Sequence, residues 1–198
     1  SVVSSPFDET LEFFSIVVPE GAFTSNLQHL KVDDEIYLEK IPYGFLTLAR
    51  YQLPLPKDLW LLGTGTGLAP FISMLQDFET WLKYERITLV YSVRTASELA
   101  YATRIQEIAE TFGEGHTGFK FVPIITRDPH APLHDRLPVL IENGDLEKAV
   151  DLSLNPETSH VMLCGNPQMV EDTKEALKAR GLTMNRRGEG NIAVENYW

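Results

Sequence analysis

The sequence predicts an α/β chain in which a short β-rich stretch precedes a parallel sheet covered by helices. Three observations carry this. From about residue 58 onward, strand-like apolar runs alternate with helix-like segments, the pattern of a parallel sheet with both faces covered. Before Pro54 and Pro56 the runs are shorter, aromatic and β-branched, and separated by turn residues. A glycine-rich turn, "LLGTGTGLAPF", joins the first long apolar run to the first long helix-like segment.

In order, "LEFFSIVV" (11–18), "EIYLEK" (35–40) and "FLTL" (45–48) read as strands, with turn signals at Pro19, Gly21, Pro42 and Gly44. One short helix is expected from Thr24 or Ser25 through Leu27 and Leu30. Then "LWLLG" leads to a helix at 68–83, "ITLVYSV" to a helix at 97–112, and "FKFVPIIT" to helical segments between 136 and 150. "HVMLCG" leads to a helix at 167–180, and "NIAVEN" supplies the last strand of a five-stranded sheet. The expected units are 1–53 and 54–198, with no internal repeat and no low-complexity tract.

Composition narrows the function classes. Seventeen Lys and Arg against twenty-eight Asp and Glu give a net charge of −11, which argues against nucleic-acid or anionic-membrane binding. No apolar stretch approaches the roughly 20 residues that span a bilayer, and no secretion pattern opens the sequence. Cys164 is the sole cysteine, so an internal disulfide, a Cys-ligated cluster and a thiolate zinc site are excluded. A reducing cytoplasm is the expected setting. No metal site is expected: His130 and His134 are four apart, but Pro129 and Pro132 disfavour the helix that would pair them.

The glycine turn sits where ligands bind in open α/β sheets, beyond the carboxyl ends of the strands. Gly63, Gly65 and Gly67 do not match the dinucleotide fingerprint, because position 68 is Leu, and no Lys stands where an NTPase loop requires one. With Thr64 and Thr66, the turn still offers amides, hydroxyls and about half a unit of positive charge to a pyrophosphate. A tight turn without ligand is the alternative. Ser92 and Arg94 end the second run, and Arg127 and Arg136 follow the third. Arginine there suits a ribose 2′-phosphate better than a 2′-hydroxyl, although solvated surface arginines are common. "LCGNP" repeats the strand, Gly, helix arrangement with Asn166 as a helix cap; Cys164 is either a small buried residue or a thiol facing a reactive ring. "KEALKARGLTMNRR" places Lys174, Lys178, Arg180, Arg186 and Arg187 in a basic patch, either a dock for an acidic partner or a solvated helix face.

From Ser1 to Trp198 the chain resembles the bacterial ferredoxin or flavodoxin NADP⁺ reductases. The resemblance rests on "SVVSSP", "VVPEGAFTSNL", "LLGTGTGLAPF", "SHVMLCGNPQMV" and the terminal "VENYW". It implies a partial antiparallel FAD-binding barrel followed by a Rossmann-like NADP(H) domain. It also implies hydride transfer between nicotinamide and flavin, with single electrons exchanged with a separate ferredoxin or flavodoxin.

By this resemblance Ser1 ends the flavin motif, with its hydroxyl near the reactive flavin edge. Gly21, Ala22, Phe23, Thr24 and Ser25 hold the FAD pyrophosphate. Gly63, Thr64, Gly65, Thr66 and Gly67, with Ser92, Gly165 and Asn166, position NADP(H), and Arg94, Arg127 and Arg136 take the 2′-phosphate. Ser1, Cys164, Glu195 and Tyr197 shape the ring site; Tyr197 stacks on the isoalloxazine and Trp198 covers the adenine side. The sequence starts at the motif's serine, so it reads as lacking the first barrel strands, from an enzyme that is a monomer at full length. Two competing readings are a non-catalytic NADP(H)-binding fragment without flavin and the reductase part of an oxygenase or flavohaemoglobin.

Overall fold

Apolar side chains point alternately to the two sides of a strand, so a strand buried on both sides feeds two cores at once. The strand Asp58–Thr64 (β1) does this: Leu59 and Leu61 enter one core, Trp60 and Leu62 the other. In this computed structural model, which describes residues 1–41, 43–50, 56–116 and 118–196, β1 is the centre of a five-stranded sheet. The other strands are Arg86–Val93 (β2), Phe119–Ile125 (β3), Ser159–Gly165 (β4) and Ile192–Asn196 (β5). All pairings are parallel, in the order β3-β2-β1-β4-β5.

The chain runs outward from β1 to β2 and β3, then crosses back to place β4 on the other side of β1. The strand order therefore reverses between β1 and β4, the place where open α/β sheets leave a crevice for ligands. A 3₁₀ turn, Gly65–Leu68, leads into Ala69–Leu75 (which, after the short helix α1 at Thr24–Leu27, is α2), and Phe78–Lys83 (α3) and Ala102–Phe112 (α4) follow. The core on this face holds Phe71, Ile72, Leu75, Trp81, Ile105 and Ile108. Leu137–Glu142 (α5), Asp145–Val150 (α6) and Pro167–Ala179 (α7) supply the opposite core through Leu140, Leu146, Val170 and Leu177. The five expected strands after residue 58 are all present.

Two expected helices are interrupted. The 68–83 helix breaks at Gln76 and Asp77, where Asp77 turns extended and its carboxylate accepts the Glu79 N–H at 2.9 Å as a new N-cap. The 97–112 helix starts only at Ala102, because Tyr101 adopts a left-handed conformation at φ 61°. Its phenol donates to the Glu12 carboxylate at 2.6 Å and its ring meets Phe14 edge-on.

Residues 1–50 differ from the sequence expectation more. Among the described residues the runs 11–18, 35–40 and 45–48 form no strand; an antiparallel bridge, Val2 to Phe13, stands there, and Leu48–Arg50 is a 3₁₀ turn. Aromatic and β-branched composition marks a surface that fits a sheet, but a strand also needs a neighbour to complete its ladder. Among the described residues, 35–40 join no ladder. The helix expected through Leu30 stops at Leu27. The turn signal at Pro42 and the 53/54 boundary lie outside the described residues.

The N-terminal segment nevertheless packs on the first core. Val3 and Leu46 are buried in it. Gln76, itself buried, donates to the Val3 carbonyl at 2.8 Å and accepts from Arg104 at 3.0 Å, while Ser73 donates to the Ser4 carbonyl at 2.8 Å.

Candidate functional site

The turn after β1 and the turn after β4 are in backbone contact. A Cβ on Gly67 would lie 2.2 Å from the Cys164 carbonyl oxygen, so only glycine permits this approach. Gly165, at φ +134°, returns the constraint, since its Cβ would meet the Thr64 hydroxyl at 2.3 Å. The Asn166 N–H donates to that hydroxyl at 3.1 Å, and the Asn166 side-chain oxygen accepts from the Gln168 and Met169 amides at 2.9 and 3.2 Å. Asn166 is thus the cap of α7, as its place before Pro167 predicts. Gly63, Gly67 and Gly165 serve close packing, whereas around Gly65 no atom lies within 4 Å of an added Cβ. The backbone at Gly65 faces open space, and the 3₁₀ turn it starts has no side-chain cap.

β5 brings the end of the chain to the same place. Cys164 is in register with Gly63 on one side and Glu195 on the other. Two strand spacings, about 10 Å, separate the end of β1 from the end of β5. Cys164 is fully buried within the first core, among apolar neighbours. Glu195 is half-buried, and its carboxylate reaches to 3.2 Å from where a Cβ on Gly44 would stand, joining β5 to the N-terminal segment. Ser1 is exposed at the start of the segment that Gln76 anchors, and its carbonyl accepts from the Phe14 amide at 3.3 Å. Tyr197 and Trp198 lie outside the described residues.

Ser92 is buried, in register with Thr64 and Ile124. Arg94 follows at the end of β2, and the Arg127 amide donates to the Arg94 carbonyl at 2.9 Å, so these two arginines leave adjacent strand ends. Ile125 also donates to the Leu133 carbonyl at 3.0 Å, which returns the chain toward Arg136 at the head of α5. All three arginines are exposed. The sequence reading missed Glu98, which holds the Arg94 guanidinium through contacts of 2.5 and 3.0 Å. The four-residue spacing of Arg94 and Glu98 was the available signal. Hydrogen bonds from the Arg94 side chain, then from its backbone, keep the Glu98 carboxyl below its ordinary range.

At 21–25 the hydroxyls turn inward. Thr24 accepts the Val18 amide at 3.0 Å, and Ser25 donates to the Gly21 carbonyl. Ala22 and Phe23 are exposed. Thr24 opens a helix of only 4 residues, so the peptide-dipole charge expected there is small.

The basic patch breaks up. Lys174 pairs with Glu171, Lys178 with Glu175, and Arg180 with Glu147. Arg186 and Arg187 lie in the turn closed by the Arg186–Glu189 bridge, just before β5. With 13 residues, α7 carries its last turn about 20 Å from Asn166. Among the described residues, no helix is long and apolar enough to cross a membrane, and no group of His, Cys, Asp and Glu could hold a metal ion.

Residues 61–175 match the family model described as the oxidoreductase NAD-binding domain. The chain is 42% identical over 202 residues to a ferredoxin–NADP reductase of Pseudomonas aeruginosa, covering 98% of this chain and 77% of that protein. It is 39% identical over 201 residues to a flavodoxin/ferredoxin–NADP reductase of Escherichia coli, covering all of this chain and 79% of that one. A crystal structure of a ferredoxin NADP⁺ reductase from Neisseria gonorrhoeae, with bound FAD and NADP, superposes with a TM-score of 0.89 at 36% identity. That match covers 99% of this chain and 78% of the other.

Proposed function

The chain belongs to the ferredoxin/flavodoxin NADP reductase family of oxidoreductases, and on that premise we propose that it exchanges electrons between NADP(H) and a separate ferredoxin or flavodoxin through bound FAD. The observation that carries this reading is the convergence of three strand ends. The glycine turn, Cys164 to Asn166, and Glu195 meet at the reversal of strand order.

The residues fit both groups in kind. Open backbone at Gly65, at the head of an uncapped turn, suits a pyrophosphate. Arg94, Arg127 and Arg136 suit a 2′-phosphate. Beside Gly44, which Glu195 approaches, Tyr43 and Phe45 are 83% and 79% exposed, an apolar surface of the kind a flat ring would cover. When bound, FAD supplies a ring that accepts a hydride and releases single electrons.

The chain's own residues place and shield. Thr64 and Asn166 lock the two phosphate-side turns together, so the pyrophosphate meets a preset cradle. Ser92 and Thr66 line the NADP(H) side, and Gly21 to Ser25 hold the FAD pyrophosphate. Cys164 gives the ring site a dry floor, while Glu195 and Ser1 supply its polar edge. By the family resemblance, Tyr197 and Trp198 would flank the flavin and its adenine side. We assign 1–53 to the FAD-binding part and 54–198 to the NADP(H)-binding part, of a protein that is monomeric at full length and resides in the cytoplasm. The electron carrier docks near the ring site rather than on helix α7, where Lys174, Lys178 and Arg180 are already paired with Glu171, Glu175 and Glu147.

A visible spectrum of the purified protein, before and after NADPH, tests the reading. A flavin spectrum that bleaches with NADPH is expected. A colourless protein that NADP⁺ still stabilises against heat would leave only the nucleotide-binding half and favour the non-catalytic fragment.

A further inference from the structure

We infer that Glu98 is a positioning residue that presents Arg94 to a phosphomonoester dianion. This rests on the assignment of Arg94 to the 2′-phosphate of the nucleotide. The Glu98 carboxylate engages one edge of the guanidinium, Oε1 accepting from Nε at 3.0 Å and from Nη2 at 2.5 Å. Its other oxygen accepts the Arg94 backbone N–H at 2.9 Å, so one carboxylate fixes both ends of the same residue.

Glu98 is itself held. Its carbonyl accepts the phenol of the buried Tyr91 at 3.3 Å, and its amide donates to the Thr95 carbonyl at 3.0 Å. The anchor thus runs from a core tyrosine through Glu98 to an arginine whose side chain is 64% exposed.

A guanidinium carries five N–H donors in a rigid fork. Glu98 uses the Nε side, and among the described residues Nη1 has no partner. The Nη1 and Nη2 end of the fork therefore remains for a second oxyanion, and it can be taken in a bidentate way. Arg127, whose amide is bonded to the Arg94 carbonyl, leaves the neighbouring strand end to supply further positive charge.

Two effects of Glu98 oppose each other. Its charge repels an incoming dianion, but water screens that repulsion at an exposed site. Against it stands the rotamer freedom of a long arginine, which the carboxylate has already removed before the ligand arrives. The three contacts on one residue make preorganisation the larger effect. Removing Glu98 should then weaken phosphate binding even though it removes a like charge.

Titration calorimetry on the full chain with adenosine 2′,5′-bisphosphate and with 5′-AMP separates the possibilities. For E98A the bisphosphate should bind about tenfold more weakly while 5′-AMP changes by less than about twofold; E98Q, which keeps one acceptor, should fall between. Adding E98A to R94A should cause no further loss. If E98A leaves the bisphosphate unchanged or tightens it while R94A weakens it, the positioning role is overturned and the Arg94 assignment stands. If R94A also leaves it unchanged, both are overturned.

Discussion

The Asn166 amide donates to the Thr64 hydroxyl across 3.1 Å, joining the loop after β4 to the loop after β1 at the point where strand order reverses. Gly67 and Gly165 are the residues that permit such closeness, since a Cβ on either would meet the other loop within 2.3 Å.

Gly67→Ala should therefore be severe. Its Cβ would strike the Cys164 carbonyl and the Gly165 Cα, backbone atoms that cannot rotate away. A loss on the order of 3 kcal/mol is expected in chemical denaturation, with weakened NADP⁺ binding. Gly65→Ala meets open space but keeps a left-handed φ of +53°, so it should lose only about 1 kcal/mol. Equal losses for the two would contradict the packing argument.

Nucleotide choice should follow the arginines. The double variant Arg94→Ala with Arg136→Ala should weaken NADPH about 100-fold, each charged hydrogen bond being worth about 1.5 kcal/mol. NADH, which lacks the 2′-phosphate, should change by less than about threefold. Steady-state KM values for both nucleotides, measured in a protein of full family length, decide the matter; equal losses would remove the 2′-phosphate assignment.

Stability should fall in mild acid because of His160. The ring is buried beside Tyr84, sharing a hydrogen bond at 3.2 Å, and burial pushes its pKa down from 6.5 to about 4. Between those values the unfolded chain binds a proton that the folded chain refuses. Stability is therefore full above about pH 6.5 and declines as pH falls toward 4, by up to about 3 kcal/mol. His160→Gln should flatten this slope in denaturation curves taken at several pH values; an unchanged slope would show that His160 is not its source.

Gln76→Ala should release the N-terminal segment. It removes the donor to the Val3 carbonyl, in a buried setting, and the acceptor of the half-exposed Arg104. A loss of about 2 kcal/mol is expected. Hydrogen exchange at the Val3 amide, which is bonded to the Glu12 carbonyl at 2.8 Å, should quicken before the sheet amides do. Simultaneous exchange of both sets would mean the segment opens only with the whole fold.

The turns and caps that frame the candidate site were legible in residue order, for local reasons. Gly63 to Gly67 follow an apolar run and precede a helix, and Asn166–Pro167 carries its own capping chemistry. Arg94 and Arg127 follow strand ends, and Arg136 heads a helix, at positions that periodicity alone could locate. Glu98 was missed because an exposed Arg and Glu four apart look the same whether they decorate a helix or orient a binding group. Gln76 was missed because its partners, Val3 and Arg104, are distant in the chain.

The residue order by itself determined the alternation of strands and helices after residue 58, since each element there satisfies its backbone locally or sits in a run apolar enough to be buried on both faces. Only the tertiary structure decided that β4 lies beside β1, that Cys164 stands between Gly63 and Glu195, and that 11–18, 35–40 and 45–48 form no strands among the described residues. The reason is one of range: helices and caps close their hydrogen bonds within a few residues, whereas a strand is completed by whichever remote segment comes to lie beside it.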